Sequence, residues 1–282
     1  VLTPASRHAA VLGSPVSHSL SPALHEAAYR ALGLTHWSYD VHEVQAGTLA
    51  GFVAGLGHQW AGLSLTMPLK EAAFEVADEV SDLAREVGAI NTLVRRPGGW
   101  SGDNTDVYGV TQALVGGGCT HVSSAVVLGS GATARSVVAA LAAMGCAQVT
   151  FAVRSAARPE TLEQARRAGL EVAVVGLGQM GDVLGDVRVL VSTLPANALA
   201  AASLPAGMFP EGSLRRDHLL LDVVYAGWPT PLAKTFQKAG ATVVPGLEML
   251  VHQAAEQVHL MTGLRPPVDQ MRAAGLAVMA SR

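Results

Sequence analysis

Short apolar runs alternate with amphipathic stretches along the whole chain, and their order predicts the architecture. In the first third, Ala9 to Leu12 is an apolar run of strand length. Ser21-Pro22 opens a helix from Ala23 to Leu32 that stops at Gly33. Trp37 to Val44 alternates with period two, Ala46 to Leu56 is apolar at helical spacing, and Gly62 to Leu65 reads as a strand. Pro68 starts another helix, Ala89 to Val94 is a strand, and Pro97-Gly98-Gly99 turns the chain into Trp100 to Asp103. Strands separated by helices imply parallel pairing, because a parallel neighbour needs a long crossover.

A second series begins near Val107. The strand Ser124 to Leu128 runs straight into Gly129-Ser130-Gly131 and an Ala/Val-rich helix to Met144. Strands follow at Val149 to Val153 and Glu171 to Val175, with a helix from Pro159 to Ala168 between them. Further strands are expected at Val187 to Val191, Leu219 to Val224 and Ala241 to Val244. This is the order of a doubly wound dinucleotide-binding domain. The helix Leu247 to Thr262 is expected to return to the first unit. The expected fold class is therefore α/β with two α/β domains. Residues 1–106 plus 247–282 are expected to form one domain with a mainly parallel sheet, and residues 107–246 a Rossmann-like domain.

Composition narrows the partners. The 282 residues are 50% hydrophobic and 15% charged, enough apolar material for packed cores. A net charge of −3 offers no attraction for nucleic acid or an anionic membrane. Two stretches, Gly47 to Leu69 and Ser136 to Val153, lack charged residues. Glycines and Pro68 break the first and Met144-Gly145-Cys146 the second, so neither reads as a span of roughly 20 residues. With no basic-then-apolar leader, a soluble cytoplasmic enzyme or binding protein is expected. Cys119 and Cys146 are too few for a disulfide framework or a structural zinc site and read as small buried side chains. The His18/His25 and His252/His259 pairs have no thiol nearby, so no metal is expected, and most histidines read as surface or capping residues. No apolar stripe assigns an interface, which leaves a homodimer open.

Chemistry concentrates in a few segments. The strand–Gly-x-Gly–helix junction lets backbone N–H groups approach a pyrophosphate at a helix N-terminus, with Ala134 in the third glycine slot. After the next strand, where an NAD enzyme places an acid, stand Val153-Arg154-Ser155 and Arg158, with no acid before Glu160. Arginine there suits a 2′-phosphate, so NADP is favoured over NAD. In the first unit, Ser21 before Pro22 is a natural N-cap, while Ser19 has no such structural duty, and two hydroxyls at a helix start make a carboxylate cradle. Lys70 in the segment Leu65-Thr66-Met67-Pro68-Leu69-Lys70 falls in a first helical turn, where the macrodipole disfavours a cation. Gly88-Ala89-Ile90-Asn91-Thr92-Leu93 and Gly102-Asp103-Asn104-Thr105-Asp106 gather amide, hydroxyl and carboxylate groups at strand ends, as a polyol site requires. Asp106 is also placed to cap the helix starting at Val107.

Taken in order, these segments resemble the shikimate dehydrogenase family, together with Ser192-Thr193-Leu194-Pro195, Asp222-Val223-Val224-Tyr225 and Gly246-Leu247-Glu248-Met249-Leu250 with Gln253. They run from Gly13 to Gln253, and the linking segments are most similar to actinobacterial members. The resemblance implies NADPH-dependent reduction of 3-dehydroshikimate to shikimate, a step of aromatic amino-acid and chorismate biosynthesis. It implies that residues 1–106 plus 247–282 are the substrate-binding and catalytic domain, facing residues 107–246 across a cleft. It also implies that Lys70 and Asp106 are the catalytic pair, and that Ser19 and Ser21 hold the substrate carboxylate. Thr66, Asn91, Asp106, Tyr225 and Gln253 would contact the ring and its hydroxyls. For NADP(H) it implies Gly129, Ser130, Gly131, Ala132, Thr133, Val153, Arg154, Ser155, Arg158, Thr193, Val223 and Gly246.

Two departures stand out. Ser64 replaces a common Asn, which implies one supporting hydrogen bond weakened. Val153-Arg154-Ser155 replaces a common Asn-Arg-Thr but keeps the arginine. A quinate or quinate/shikimate dehydrogenase, or an aminoshikimate specialist, would differ by a single pocket contact. A methylenetetrahydrofolate dehydrogenase is excluded by the lack of a Tyr-x-x-x-Lys motif. A non-catalytic regulator binding shikimate or quinate is disfavoured by the presence of both Lys70 and Asp106.

Overall fold

The computed structural model describes residues 5–185, 187–195, 208–210 and 212–282. The chain divides into two compact units, one of Val1–Asp106 with Val251–Arg282, the other of Val107–Leu250. The division falls inside one helix, Gly246–Thr262, four residues later than the sequence suggests. The first turn of that helix stays with the second unit because Gly246 lies against the backbone of Val223.

In the first unit the strands are β1 (Arg7–Gly13), β2 (Trp37–Glu43), β3 (Trp60–Leu65), β4 (Glu79–Val80), β5 (Thr92–Arg96) and β6 (Gly99–Asp103). They form one sheet in the order β2-β1-β3-β5-β6-β4. β1 is parallel to β2 and β3, and β4 to β6, as crossovers dictate. β5 is antiparallel to both β3 and β6, a departure from all-parallel pairing. The cause is the short Pro97-Gly98 link, which can only make a hairpin. One consequence decides the site: β5 begins at the edge where β1, β3 and β6 end. Side chains on both faces of β1 and β3 are buried, which explains the apolar run Ala9 to Leu12 in β1 and the mostly apolar β3, broken by Ser64. Leu12, Leu63, Leu65, Leu69, Ile90, Leu93 and Trp100 form the main core on one side. On the unit's other helices, Ser21–Ala31 packs against Val268–Ala280.

Several local expectations are corrected. Helix Ser21–Ala31 has Leu20 at its N-cap and Ser21 inside it, because the Ser19 hydroxyl already accepts from Ser21 N at 3.2 Å. The segment from Ala46 is a 3₁₀ turn, Ala46–Thr48, followed by a short helix, Leu49–Ala54, since Gly51 and Gly55 weaken a longer one. Ala89, Ile90 and Asn91 precede β5, their backbone spent on bonds such as Ile90 N to Lys70 O at 2.8 Å. Helix Asp82–Val87, capped by Ser81, is too short to show periodicity.

In the second unit β7 (Ser124–Leu128), β8 (Gln148–Val153), β9 (Glu171–Gly176), β10 (Val189–Ser192), β11 (Leu219–Asp222) and β12 (Thr242–Pro245) are all parallel, in the order β12-β11-β10-β7-β8-β9. Strand order reverses between β7 and β10, the point where open α/β sheets bind ligands. β11 stops at Asp222, two residues before the expected end. The buried Asp222 carboxylate turns the chain there, accepting from Thr230 Oγ1 at 2.6 Å and Val224 N at 3.3 Å. Burial raises the Asp222 pKa against these bonds.

Two of the ten histidines are buried. His25 has no exposed area, stacks on Tyr39 at 3.9 Å, and meets Gln257 Oε1 at 3.3 Å. His218 is the other, 1% exposed. Burial pushes the His25 pKa from 6.5 down to about 3. Between those values the unfolded chain binds a proton that the folded chain refuses. Stability therefore falls as pH drops below 6.5 and continues falling toward about 3, at up to about 1.4 kcal/mol per pH unit. Urea denaturation at neutral and mildly acidic pH should show this loss, and His25→Gln should reduce it. Among the described residues no helix is long and apolar enough to cross a membrane, and no group of His, Cys, Asp or Glu is placed to hold a metal ion.

Candidate active site

The edge of the first sheet where β1, β3 and β6 end and β5 begins collects the polar side chains. Past β3, a four-residue helix, Leu69–Ala72, carries Lys70, with Pro68 at its N-cap rather than within it. So short a helix has little dipole, and the lysine is held instead by a carboxylate. Lys70 Nζ donates to Asp106 Oδ2 at 2.5 Å, with the two side chains 14% and 7% exposed. The other Asp106 oxygen accepts from Asn91 Nδ2 at 2.9 Å. Asp106 begins the helix Asp106–Gly116, but Asn104 does the local turning work. Its Oδ1 accepts from Asp106 N at 3.1 Å and its Nδ2 donates to Ala89 O at 2.8 Å. That frees the Asp106 carboxylate from the capping duty expected of it.

The Asn91 amide is oriented by its neighbours. Its Oδ1 accepts from Thr105 N at 2.8 Å and Thr92 Oγ1 at 2.7 Å, which turns Nδ2 toward Asp106 and, at a long 3.4 Å, Gln253 Oε1. Lys70, Asp106, Asn91 and Gln253 are thus brought together. Thr66 stands between β3 and the Lys70 helix, its carbonyl accepting from Leu69 N at 2.8 Å. A Cβ on Gly13 would strike the Thr66 methyl, so glycine at the end of β1 permits this approach. Ser19 and Ser21 are joined by the backbone bond above, with Ser21 buried and Ser19 half-buried. Tyr225 belongs to the second unit, on the loop after β11, and is half-buried.

The candidate cofactor residues lie in the second unit at the strand-order reversal. Gly129, at φ +92, adopts a backbone that side chains disfavour, and a Cβ there would meet Thr193 Oγ1 at 2.8 Å. Gly131 caps the helix Ala132–Ala143, whose first residues are Ala132 and Thr133, and Ala134 is fully buried in the third glycine slot. Thr193 Oγ1 donates to Leu128 O at 2.7 Å, tying β10 to the glycine turn. Ser130 is also structural: its Oγ accepts from Arg158 N at 3.0 Å and its carbonyl accepts from Thr161 Oγ1 at 2.7 Å. These bonds fasten the loop after β8 to the glycine turn. That loop leaves Val153 buried and Arg154, Ser155 and Arg158 exposed. A side chain on Gly246 would run into the Val223 carbonyl, so this close approach also requires glycine. The arrangement suits a dinucleotide: a side-chain-free turn, a helix start and an exposed guanidinium after the second strand.

Sequence reasoning missed the supporting residues Thr92, Thr105, Asn104 and Gln257. The first three sit inside the quoted motifs. Gln257, 1% exposed, follows Gln253 by one helical turn on an otherwise apolar face, a spacing that could have flagged it.

A Rossmann-like unit with a glycine turn, joined to an α/β unit bearing a Lys–Asp pair at a polar strand edge, defines a two-domain dinucleotide-dependent oxidoreductase. Residues 11–93 match the model of the shikimate dehydrogenase substrate binding domain, and residues 246–274 that of the shikimate 5'-dehydrogenase C-terminal domain. The shikimate dehydrogenase (NADP(+)) of Synechococcus sp. (strain JA-2-3B'a(2-13)) is 36% identical over 274 residues, 94% of this chain and 93% of the relative. The shikimate dehydrogenase structure from Mycobacterium tuberculosis is 42% identical, with a TM-score of 0.84 over 96% of this chain and 99% of that one. The Thermus thermophilus enzyme in complex with NADP(H) and shikimate is 34% identical, with a TM-score of 0.83 over the same shares. The chain belongs to the shikimate dehydrogenase family.

Proposed function

We propose that the protein catalyses the reversible NADPH-dependent reduction of 3-dehydroshikimate to shikimate, in the cytoplasm and without nucleic-acid or membrane partners. The observation that carries this reading is the Lys70–Asp106 pair at 2.5 Å, built into a polar strand edge by Asn91. Gly129, Ser130, Gly131, Ala132, Thr133, Val153, Arg154, Ser155, Arg158, Thr193, Val223 and Gly246 are assigned to hold NADP(H). When bound, the cofactor supplies or accepts the hydride at the ring carbon. Lys70 holds the oxygen of the reacting C–O group: in reduction its ammonium gives that oxygen a proton and becomes the neutral amine, and in oxidation the neutral amine takes the proton back. Asp106 holds the Lys70 amine in place and, with Asn91 and Gln253, accepts or donates hydrogen bonds at neighbouring hydroxyls. Ser19 and Ser21 receive the carboxylate at the start of helix Ser21–Ala31, where N–H groups and the dipole favour an anion. Thr66 lines the ring.

Initial rates at about 340 nm for shikimate and quinate, each with NADP⁺ and NAD⁺, test the assignment. Turnover of shikimate with NADP⁺ is expected to exceed every other pairing. Quinate preferred over shikimate would keep the chemistry and change the substrate, and binding without turnover would turn the chain into a sensor. In the same assay Arg154→Ala should raise KM for NADP⁺ by roughly 10- to 100-fold and leave KM for NAD⁺ nearly unchanged, because a charge-assisted phosphate contact is lost. Equal losses for both would remove Arg154 from 2′-phosphate recognition.

A further inference from the structure

Behind the site, the first unit contains a run of buried hydrogen bonds that all point the same way. The Tyr39 hydroxyl donates to Ser64 Oγ at 2.6 Å, and Ser64 Oγ donates to Gln257 Oε1 at 2.7 Å. Gln257 Nε2 donates to Thr92 Oγ1 at 3.0 Å, and Thr92 Oγ1 donates to Asn91 Oδ1 at 2.7 Å. Asn91 Nδ2 then donates to Asp106 Oδ1 at 2.9 Å, and Lys70 closes on the other oxygen. Tyr39, Ser64, Gln257, Thr92 and Asn91 are each less than 5% exposed, so no water competes for these links.

The Gln257 amide is the hinge of this run. Its oxygen receives Ser64 and lies 3.3 Å from the His25 ring nitrogen, and its nitrogen faces Thr92 and the Asn91 carbonyl at 3.3 Å. An amide flip would place oxygen against carbonyl and nitrogen against donor, so only one orientation satisfies the pocket. With Thr92 accepting from Gln257, its own proton is directed to Asn91 Oδ1, which keeps the Asn91 donor aimed at Asp106. Thr105 N adds a second, independent hold on the same oxygen.

We propose that Gln257 is a positioning residue for the reaction: through Thr92 it keeps the Asn91 amide turned toward Asp106, and through Ser64 it ties the Lys70–Asp106 pair to the buried Tyr39. This rests on the proposed catalytic role of Lys70 and Asp106. Ser64 belongs to this run because a hydroxyl, unlike an apolar group, both receives Tyr39 and passes a proton donor on to Gln257.

The test is a double-mutant cycle on kcat with shikimate, using Gln257→Met, which fills the same space, and Thr92→Val, with Thr92→Ser as the hydroxyl-keeping control. Each of the first two should lower kcat by roughly five- to tenfold with KM for shikimate and NADP⁺ nearly unchanged, and Thr92→Ser should stay near wild type. Because both cut one run, the double variant should lose no more than the worse single. Multiplying losses, or unchanged kcat in folded single variants, would overturn the proposal. If Gln257→Met fails to fold, the Thr92→Val and Thr92→Ser pair decides by the same kcat criterion. A wild type that does not turn over shikimate would overturn the proposed function and this role with it; an active wild type with indifferent variants would overturn this role alone.

Discussion

Replacing Lys70 with alanine is expected to lower kcat for shikimate oxidation by roughly 10²–10⁴-fold while KM for shikimate moves only a few-fold. The magnitude is that of one positioned proton transfer. The ammonium has three donors, one of them committed to Asp106 Oδ2 at 2.5 Å, and the side chain is 14% exposed, so it is open at one face. Among the described residues at this edge, nothing else can replace it. Asn91 and Gln253 are amides, and the hydroxyls of Thr92 and Thr105 are spent within the network. Steady-state kinetics checks the split. A raised KM with kcat intact would make Lys70 a ground-state binding group and leave proton transfer without an owner.

Removing the partner has a different signature. Asp106→Ala should cost stability as well as rate, because it strands both the Lys70 ammonium and the Asn91 amide. Breaking a buried pair by deleting one member costs about 3–5 kcal/mol, and the opening at Lys70 places this case at the lower end. The loss in kcat should be about 10²-fold or more, since an unanchored lysine spends little time in line with the substrate oxygen. Asp106→Asn separates the two effects. It restores an acceptor for Asn91 and shape for the helix start, so stability should largely return while kcat stays low. Urea denaturation beside steady-state assays gives both quantities. An Asp106→Ala variant of near wild-type kcat would show that Lys70 works without an orienting carboxylate.

The second unit was the more legible from sequence. Its six strands are parallel and mostly buried, and such strands read as plain apolar runs separated by helices; β7 matched residue for residue. Periodicity carried less information in the first unit. β5 runs against its neighbours, a two-residue strand such as β4 has no pattern to show, and the helix Val268–Ala280 after Pro266-Pro267 was passed over. The candidate site was legible where motifs place polar residues at strand ends, as with Lys70, Asn91 and Asp106. What escaped was the assignment of duties among adjacent polar residues. Ser19 rather than Ser21 takes the local bond at the helix start, and Asn104 rather than Asp106 makes the turn. These choices depend on which donor lies within about 3 Å, a tertiary fact that spacing does not contain. The departure at Ser64 implied a weakened contact, yet the structure shows Ser64 bonded on both sides, because Gln257 reaches it from a helix 193 positions further along.

The interrupted first unit has a consequence for biosynthesis. Lys70, Asn91 and Asp106 precede the inserted second unit, whereas Gln253 and Gln257 follow it. On a translating ribosome the nucleotide-binding module, contiguous in the chain, has all its strands available before the helix carrying Gln257 has fully emerged. The catalytic module waits, its sheet lacking the returning helices that close one side. Synthesis that stops early therefore leaves the second unit with all its strands but the polar edge around Lys70 without Gln253, and that edge is complete only once the segment beyond Leu250 has been made.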